Sequence, residues 1–194
     1  MEPKDYSKVY RIIHWAIAFA FMFLLITIFL RLTWMNKNNM GDIIQTYLTG
    51  IGQTLSQEQA ITLAKKIRQP MWMWHIYTGY VLVGLFSIRF LLPLFGHNKI
   101  QSPFDRALSL KVRFQNSVYI LFYLCVITSL TTGLLIVFGP SNLKETLEEI
   151  HEFGIYYLIA YISLHLGGVL MAEFTNQKGI ISRIISGSAP KTKK

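Results

Sequence analysis

Four long runs of residues without a charge dominate this chain, spanning 12–30, 71–88, 114–143 and 154–172. Each is about as long as the roughly 20 mostly apolar residues that a helix needs to cross some 30 Å of hydrocarbon. A backbone inside lipid must satisfy its own hydrogen bonds, so four such runs predict four helices. The alternative is a large soluble helical core, but soluble cores rarely repeat uncharged stretches of this length. Only 15% of the residues are charged, against about 25% in an ordinary soluble domain. That deficit argues against a soluble enzyme, a disordered tail or a nucleic-acid-binding domain, although the net charge is +9. The expected fold is all-α: a four-helix transmembrane bundle forming one integral-membrane domain over 1–194. Its helices are expected at about 9–33, 71–94, 114–139 and 148–173. Between them lie a loop at 34–70 and a tail at 174–194.

The cations set the expected orientation. Lys4, Lys8 and Arg11, the loop with Lys99, Arg106, Lys111 and Arg113, and the tail from Lys178 to Lys194 all fall on one side. Cations on the other side, such as Lys65, Lys66 and Arg68, are offset by Asp42, Glu58 and Glu145 to Glu152. Cytoplasmic loops are enriched in Lys and Arg, so both termini are expected in the cytoplasm. The positive charge thus reads as a topology signal that also favours anionic lipid headgroups, and nucleic acid need not be invoked. The first run is too long for the apolar part of a cleaved signal peptide, and no small-residue cleavage site follows it.

Between the first two runs, SQEQAITLAKKIRQ carries a Ser56–Gln59 capping box and places Ile61, Ala64 and Ile67 at helical spacing. A short amphipathic helix on the outer membrane surface is expected there. Pro70 suits the start of the second membrane helix, Pro93 its end, and Pro140 the end of the third. In the tail, Ile180/Ile181 and Ile184/Ile185 suit a segment lying in the inner interface. The last residues, SGSAPKTKK, are expected to be disordered.

Ionisable side chains inside a membrane are rare and usually mark function. Of five histidines, four fall in the helices: His14, His75, His151 and His165. His151 and His165 are fourteen residues apart, which on one helix is about 21 Å of rise and within roughly 40° of one face. Because consecutive helices alternate in direction, His75 is expected at the depth of His151, and His14 at the depth of His165. Two cross-bundle imidazole pairs fit two haem b groups, since haem iron takes axial nitrogen ligands and helical bundles build such sites from facing side chains. Two axial ligands leave no open position at the iron, which favours electron transfer. A single cysteine, Cys125, excludes covalent attachment through Cys-x-x-Cys-His, and is read as a small apolar packing residue. Ala18, Gly79, Gly154 and Gly168 follow the histidines by three or four positions and leave space on the same face, though small residues also serve helix packing.

Other readings stay open at this stage. Membrane histidines also form structural hydrogen bonds or proton relays. A zinc or iron site would want histidine and carboxylate gathered at one depth; Glu152 adjoins His151, but the nearest carboxylate to His14 is Asp5. His97 reads as a loop residue. Arg89 either snorkels to the interface or pairs with a haem propionate, as does Arg11. On the other side Arg31, Lys37, Arg68 and Lys144 are propionate partners or simple surface charge. The aromatics of MWMWHIYTGY read as an interface belt and not as a quinone site.

RIIHW at 11–15 resembles the Arg-x-x-His-Trp opening of bacterial cytochromes b561 and of the b-type cytochrome subunits of nickel–iron hydrogenases. WHIYTGYVLVGLFSIRF is similar to their second helix. HEFGIYYLIAYISLHLGGVL resembles their last, and the ending through GIISRIISG is similar to the hydrogenase-type members. The resemblance covers nearly the whole chain. It implies a di-haem bundle in the bacterial inner membrane exchanging electrons with quinone, with His14, His75, His151 and His165 as iron ligands. The long segment 33–69 departs from the pattern. The chain then reads as a free-standing quinone-linked oxidoreductase fed by a diffusible donor such as superoxide or a periplasmic redox protein. A close alternative is the membrane anchor subunit of a periplasmic hydrogenase or dehydrogenase. From another class comes a haem-free transporter or assembly protein.

Overall fold

The computed structural model describes residues 6–92, 102, 104, 107–175 and 177–187. Helices account for nearly all of them: α1 (Lys8–Leu32), α2 (Lys37–Gly50), α3 (Gln57–Leu91), α4 (Leu110–Phe138), α5 (Lys144–Glu152), α6 (Gly154–Phe174) and α7 (Ile180–Ser186). A 3₁₀ turn, Ser141–Leu143, leads into α5. Four stretches are long and apolar enough to cross a membrane: Lys8–Leu32, Gln57–Leu91, Leu110–Phe138 and Ser141–Phe174. Their outward faces carry large apolar side chains such as Ile12, Phe19, Leu121 and Leu170, as lipid-facing surfaces do. The expected stop at Pro93, the loop histidine His97 and the tail 188–194 lie outside the described residues.

Two compact units make up the chain, one from Ile17–Gly84 and the other from Met1–Ala16 with Leu85–Lys194. In the first, Asn36 caps the start of α2, its side chain accepting from the Asn38 amide. The helix then lies against the start of α3. Gly41 permits this, because a Cβ there would stand 3.4 Å from Ile61, and Ala60 and Ala64 are wholly buried. Gln57 Nε2 donates to Asp42 Oδ1 at 3.1 Å, and Gln45 Nε2 to the Leu55 carbonyl at 2.9 Å. The capping box forms as expected, with Gln59 N to Ser56 Oγ at 3.2 Å and Ser56 N to Gln59 Oε1 at 3.0 Å.

The helix it opens does not stop before the membrane run. It continues through Pro70 to Leu91 as one element, so Pro70 is internal and not a start. Pro70 supplies no N–H to the Lys66 carbonyl. Contacts on either side hold the helix together: Ala60 and Ala64 pack near α2, and His75 reaches Thr27 on α1. The buried stripe is accordingly Ala60/Ala64, and Ile67 is exposed. The helix α2 itself was not expected from the sequence.

In the second unit, Ser109 caps α4 and Gly139 closes it, its amide donating to the Leu135 carbonyl at 2.8 Å. The expected last membrane helix is divided at Phe153 into α5 and α6. Gly154 explains the step: a Cβ there would stand 2.9 Å from Ser129 Oγ, so the chain runs hard against α4. His151 and His165 therefore sit on successive helices, joined through Phe153, whose own backbone is right-handed helical at φ −61° and ψ −17°. The tail also differs from a loose interfacial segment. Helix α7 packs on α6 and hydrogen-bonds to α1.

Candidate haem-ligating histidines

His14 on α1 and His165 on α6 come together. Their ring centroids stand 6.0 Å apart with planes at 50°. An ion held at about 2.0 Å from one nitrogen of each imidazole separates the centroids by roughly 6 Å. The pair thus fits a metal gripped from two sides. Each ring is steadied by a tyrosine one turn earlier. Tyr10 stacks on His14 at 6.4 Å and Tyr161 on His165 at 5.7 Å, both at 14°. Tyr161 lies in turn on Phe122 at 3.6 Å. Trp15 presents its edge to His14 at 5.8 Å. These contacts order two imidazoles that have no hydrogen-bond partner among the described residues.

Arginines supply the complementary charge in the same unit. Arg89 donates Nε to Tyr123 Oη at 3.2 Å and Nη2 to Tyr10 Oη at 3.0 Å, with its guanidinium 4.3 Å over the Tyr10 ring. One ring, Tyr10, thus links Arg89 to His14. Arg11 donates Nη1 to the Ile185 carbonyl at 2.9 Å. Arg89 Nη1 and Arg11 Nε are buried without an acceptor among the described residues. Leaving a charged donor unsatisfied costs several kcal/mol, and two of them beside paired imidazoles suit a ligand that brings carboxylates. Haem, with an iron and two propionates, matches that donor set.

The other two histidines share a different device. On α3, His75 Nδ1 lies 2.8 Å from Thr27 Oγ1, while the Thr27 hydroxyl donates to the Leu24 carbonyl at 2.7 Å. With its proton so used, Thr27 accepts from His75 Nδ1–H. On α5, His151 Nδ1 lies 3.0 Å from the Ser129 carbonyl and 3.1 Å from Thr132 Oγ1. A carbonyl only accepts, so His151 also carries its proton on Nδ1. Both rings therefore hold their lone pair on Nε2, the arrangement by which metal-ligating histidines are oriented. Trp72 stacks on His75 at 4.4 Å and 6°, and Arg31 stands 4.2 Å over Trp72. The His151 ring presses on α4 where Gly133 leaves room, since a Cβ there would meet His151 Cε1 at 3.0 Å. His75 belongs to the unit Ile17–Gly84 and His151 to the other.

The small residues divide into two kinds. Gly79 and Gly168 face open space, with no described atom within 4 Å of an added Cβ. Gly154 instead packs against Ser129. Sequence reasoning missed Thr27, Ser129 and Thr132. A hydroxyl in an otherwise apolar run is the visible signal at Thr27, but the Ser129 contribution is a backbone carbonyl and leaves none.

The family model for prokaryotic cytochrome b561 matches residues 5–187. No curated protein and no solved structure matches the chain. The match takes in all four apolar spans and all four membrane histidines. The chain belongs to the prokaryotic cytochrome b561 family, and is a multi-pass bacterial membrane cytochrome of the b type that serves electron transfer with haem b.

Proposed function

We propose that this cytochrome holds two haem b groups, each between two imidazoles, and passes electrons across the inner membrane to or from quinone. His14 and His165 ligate one iron, and His75 and His151 the other. Both termini lie in the cytoplasm, which puts the His14–His165 site near the inner face and the His75–His151 site near the outer. The observation that carries this reading is the 6.0 Å approach of His14 to His165 across two helices. The Nδ1–H tautomers of His75 and His151 support the second pair.

Bound haem supplies the one-electron chemistry of its iron. The chain's residues bind, orient and insulate. Thr27 and the Ser129 carbonyl hold two rings in the ligating tautomer. Tyr10 and Tyr161 fix the planes of the other two. Arg89 and Arg11 hold propionates through Nη1 and Nε. Phe122, Tyr161 and Leu158 exclude water on the α6 side. The electron donor on the outer side is a small diffusible reductant or a periplasmic redox protein.

A pyridine haemochrome assay with iron counted per chain tests the reading. Two b haems per polypeptide are expected, falling to one in His165→Ala and in His151→Ala. Two haems retained in both variants would overturn it.

A further inference from the structure

His14 lies between two residues that are both tied to α7. Three positions before it, Arg11 Nη1 donates to the Ile185 carbonyl at 2.9 Å. One position after it, Trp15 Nε1 donates to the Ile184 carbonyl at 3.2 Å. Both acceptors are in the last turn of α7, where carbonyls lack intrahelical partners and a cation is favoured.

The helix that offers them is itself pinned. At its start, the Glu173 carboxylate accepts from the Gly179 amide at 2.8 Å and the Ile181 amide at 3.1 Å. Gly179 turns the chain into α7 at φ +81° and Gly187 turns it out at φ +93°, conformations that favour glycine. A Cβ on Gly187 would stand 2.8 Å from the Arg11 guanidinium carbon, so a side chain there would have to displace the tip of Arg11. Arg183, in the middle of α7, is only 4% exposed and donates to the Lys178 carbonyl. The seven-residue helix is thus tied at both ends by charged side chains, Glu173 at its start and Arg11 at its end.

We propose that α7 is the positioning element for the His14 imidazole, with Trp15 and Arg11 as the positioning residues that act through it. Two hydrogen bonds that bracket a residue on one helix hold that stretch of α1 against rolling. The roll of α1 decides the angle at which His14 meets His165. The inference rests on the reading of His14 and His165 as ligands of one iron.

The test uses the full-length, haem-loaded protein. Trp15→Phe keeps the ring but deletes the Nε1–H donor. Gly187→Ala keeps every donor but drives a methyl into Arg11. Neither replaces an iron ligand, and Trp15→Phe leaves Arg11 and its propionate contact in place. Low-spin haem electron paramagnetic resonance is sensitive to the angle between axial imidazole planes, and a redox titration reads each haem's midpoint. In both variants the expected result is a shifted signal and midpoint for the haem held by His14, with the other haem unmoved. Signals unchanged in both variants, or both haems altered together, would overturn the proposal. His14→Ala separates the two ideas: if it keeps both haems, the ligand assignment has failed and not the role of α7.

Discussion

The Thr27 hydroxyl gives its proton to the Leu24 carbonyl at 2.7 Å and stands 2.8 Å from His75 Nδ1, so the imidazole donates to it. One side chain in an apolar run thereby sets the tautomer of a candidate ligand. Partners of this kind typically contribute about 10–100-fold to metal affinity. Thr27→Val keeps the shape and removes the acceptor. It should weaken retention of the haem held by His75 and shift its midpoint, read by haem content after detergent dilution and by redox titration. Retention and midpoint equal to those of the parent protein would argue that Thr27 only packs.

Trp72 touches both His75, at 4.4 Å, and the Arg31 guanidinium, at 4.2 Å. A cation near an iron disfavours its oxidised, more positive form and so raises the midpoint. Arg31→Gln should therefore lower the midpoint of that haem. At this range and with partial screening the effect is on the order of 1 kcal/mol, or tens of millivolts for a one-electron couple. Potentiometric titration followed optically checks both the sign and which haem moves.

Arg89 has the same sign of influence on the other site. It is held by Tyr10 and Tyr123, and its Nη1 is buried without an acceptor among the described residues. Arg89→Gln should lower the midpoint of the haem held by His14 and His165, and lower its occupancy through the lost propionate contact. Tyr123→Phe, which removes one support of the guanidinium, should move the same midpoint by less. A change confined to the other haem would contradict the placement of Arg89 at this site.

The two kinds of glycine predict opposite phenotypes. At Gly154 a Cβ meets Ser129 Oγ at 2.9 Å, so Gly154→Ala should destabilise the packing of α4 on α5 and α6 by about 1–3 kcal/mol. Thermal unfolding in detergent without haem would show it. At Gly168 the space is open. Gly168→Leu should leave haem-free unfolding unchanged and reduce haem uptake. Unchanged haem uptake in Gly168→Leu would mean that no macrocycle lies against this face.

Much of this molecule is legible along the chain. Run length and the absence of charge identify the four spans, because transfer into lipid depends on composition over about 20 residues and not on partners. Histidine in such runs marks chemistry for the same reason. The capping box at Ser56–Gln59 is visible because it is closed within four residues. The uninterrupted passage of α3 through Pro70 and the step at Phe153 are not visible. In each case a local rule is overridden by contacts with another helix, at Ala60/Ala64 with α2 and at Gly154 with Ser129.

The sequence by itself determined the membrane class and the number of apolar spans, and it singled out the histidines as candidate ligands. Tertiary structure alone decided that His14 meets His165, that Thr27 and the Ser129 carbonyl orient their imidazoles, and that α7 returns to α1 on both sides of His14. The physical reason is that hydropathy is summed along a helix, whereas a ligand's direction depends on how that helix is rolled and crossed. Roll and crossing are set where a neighbour comes close to the backbone, at Gly41, Gly133 and Gly154, and a glycine does not state in advance which neighbour will approach it.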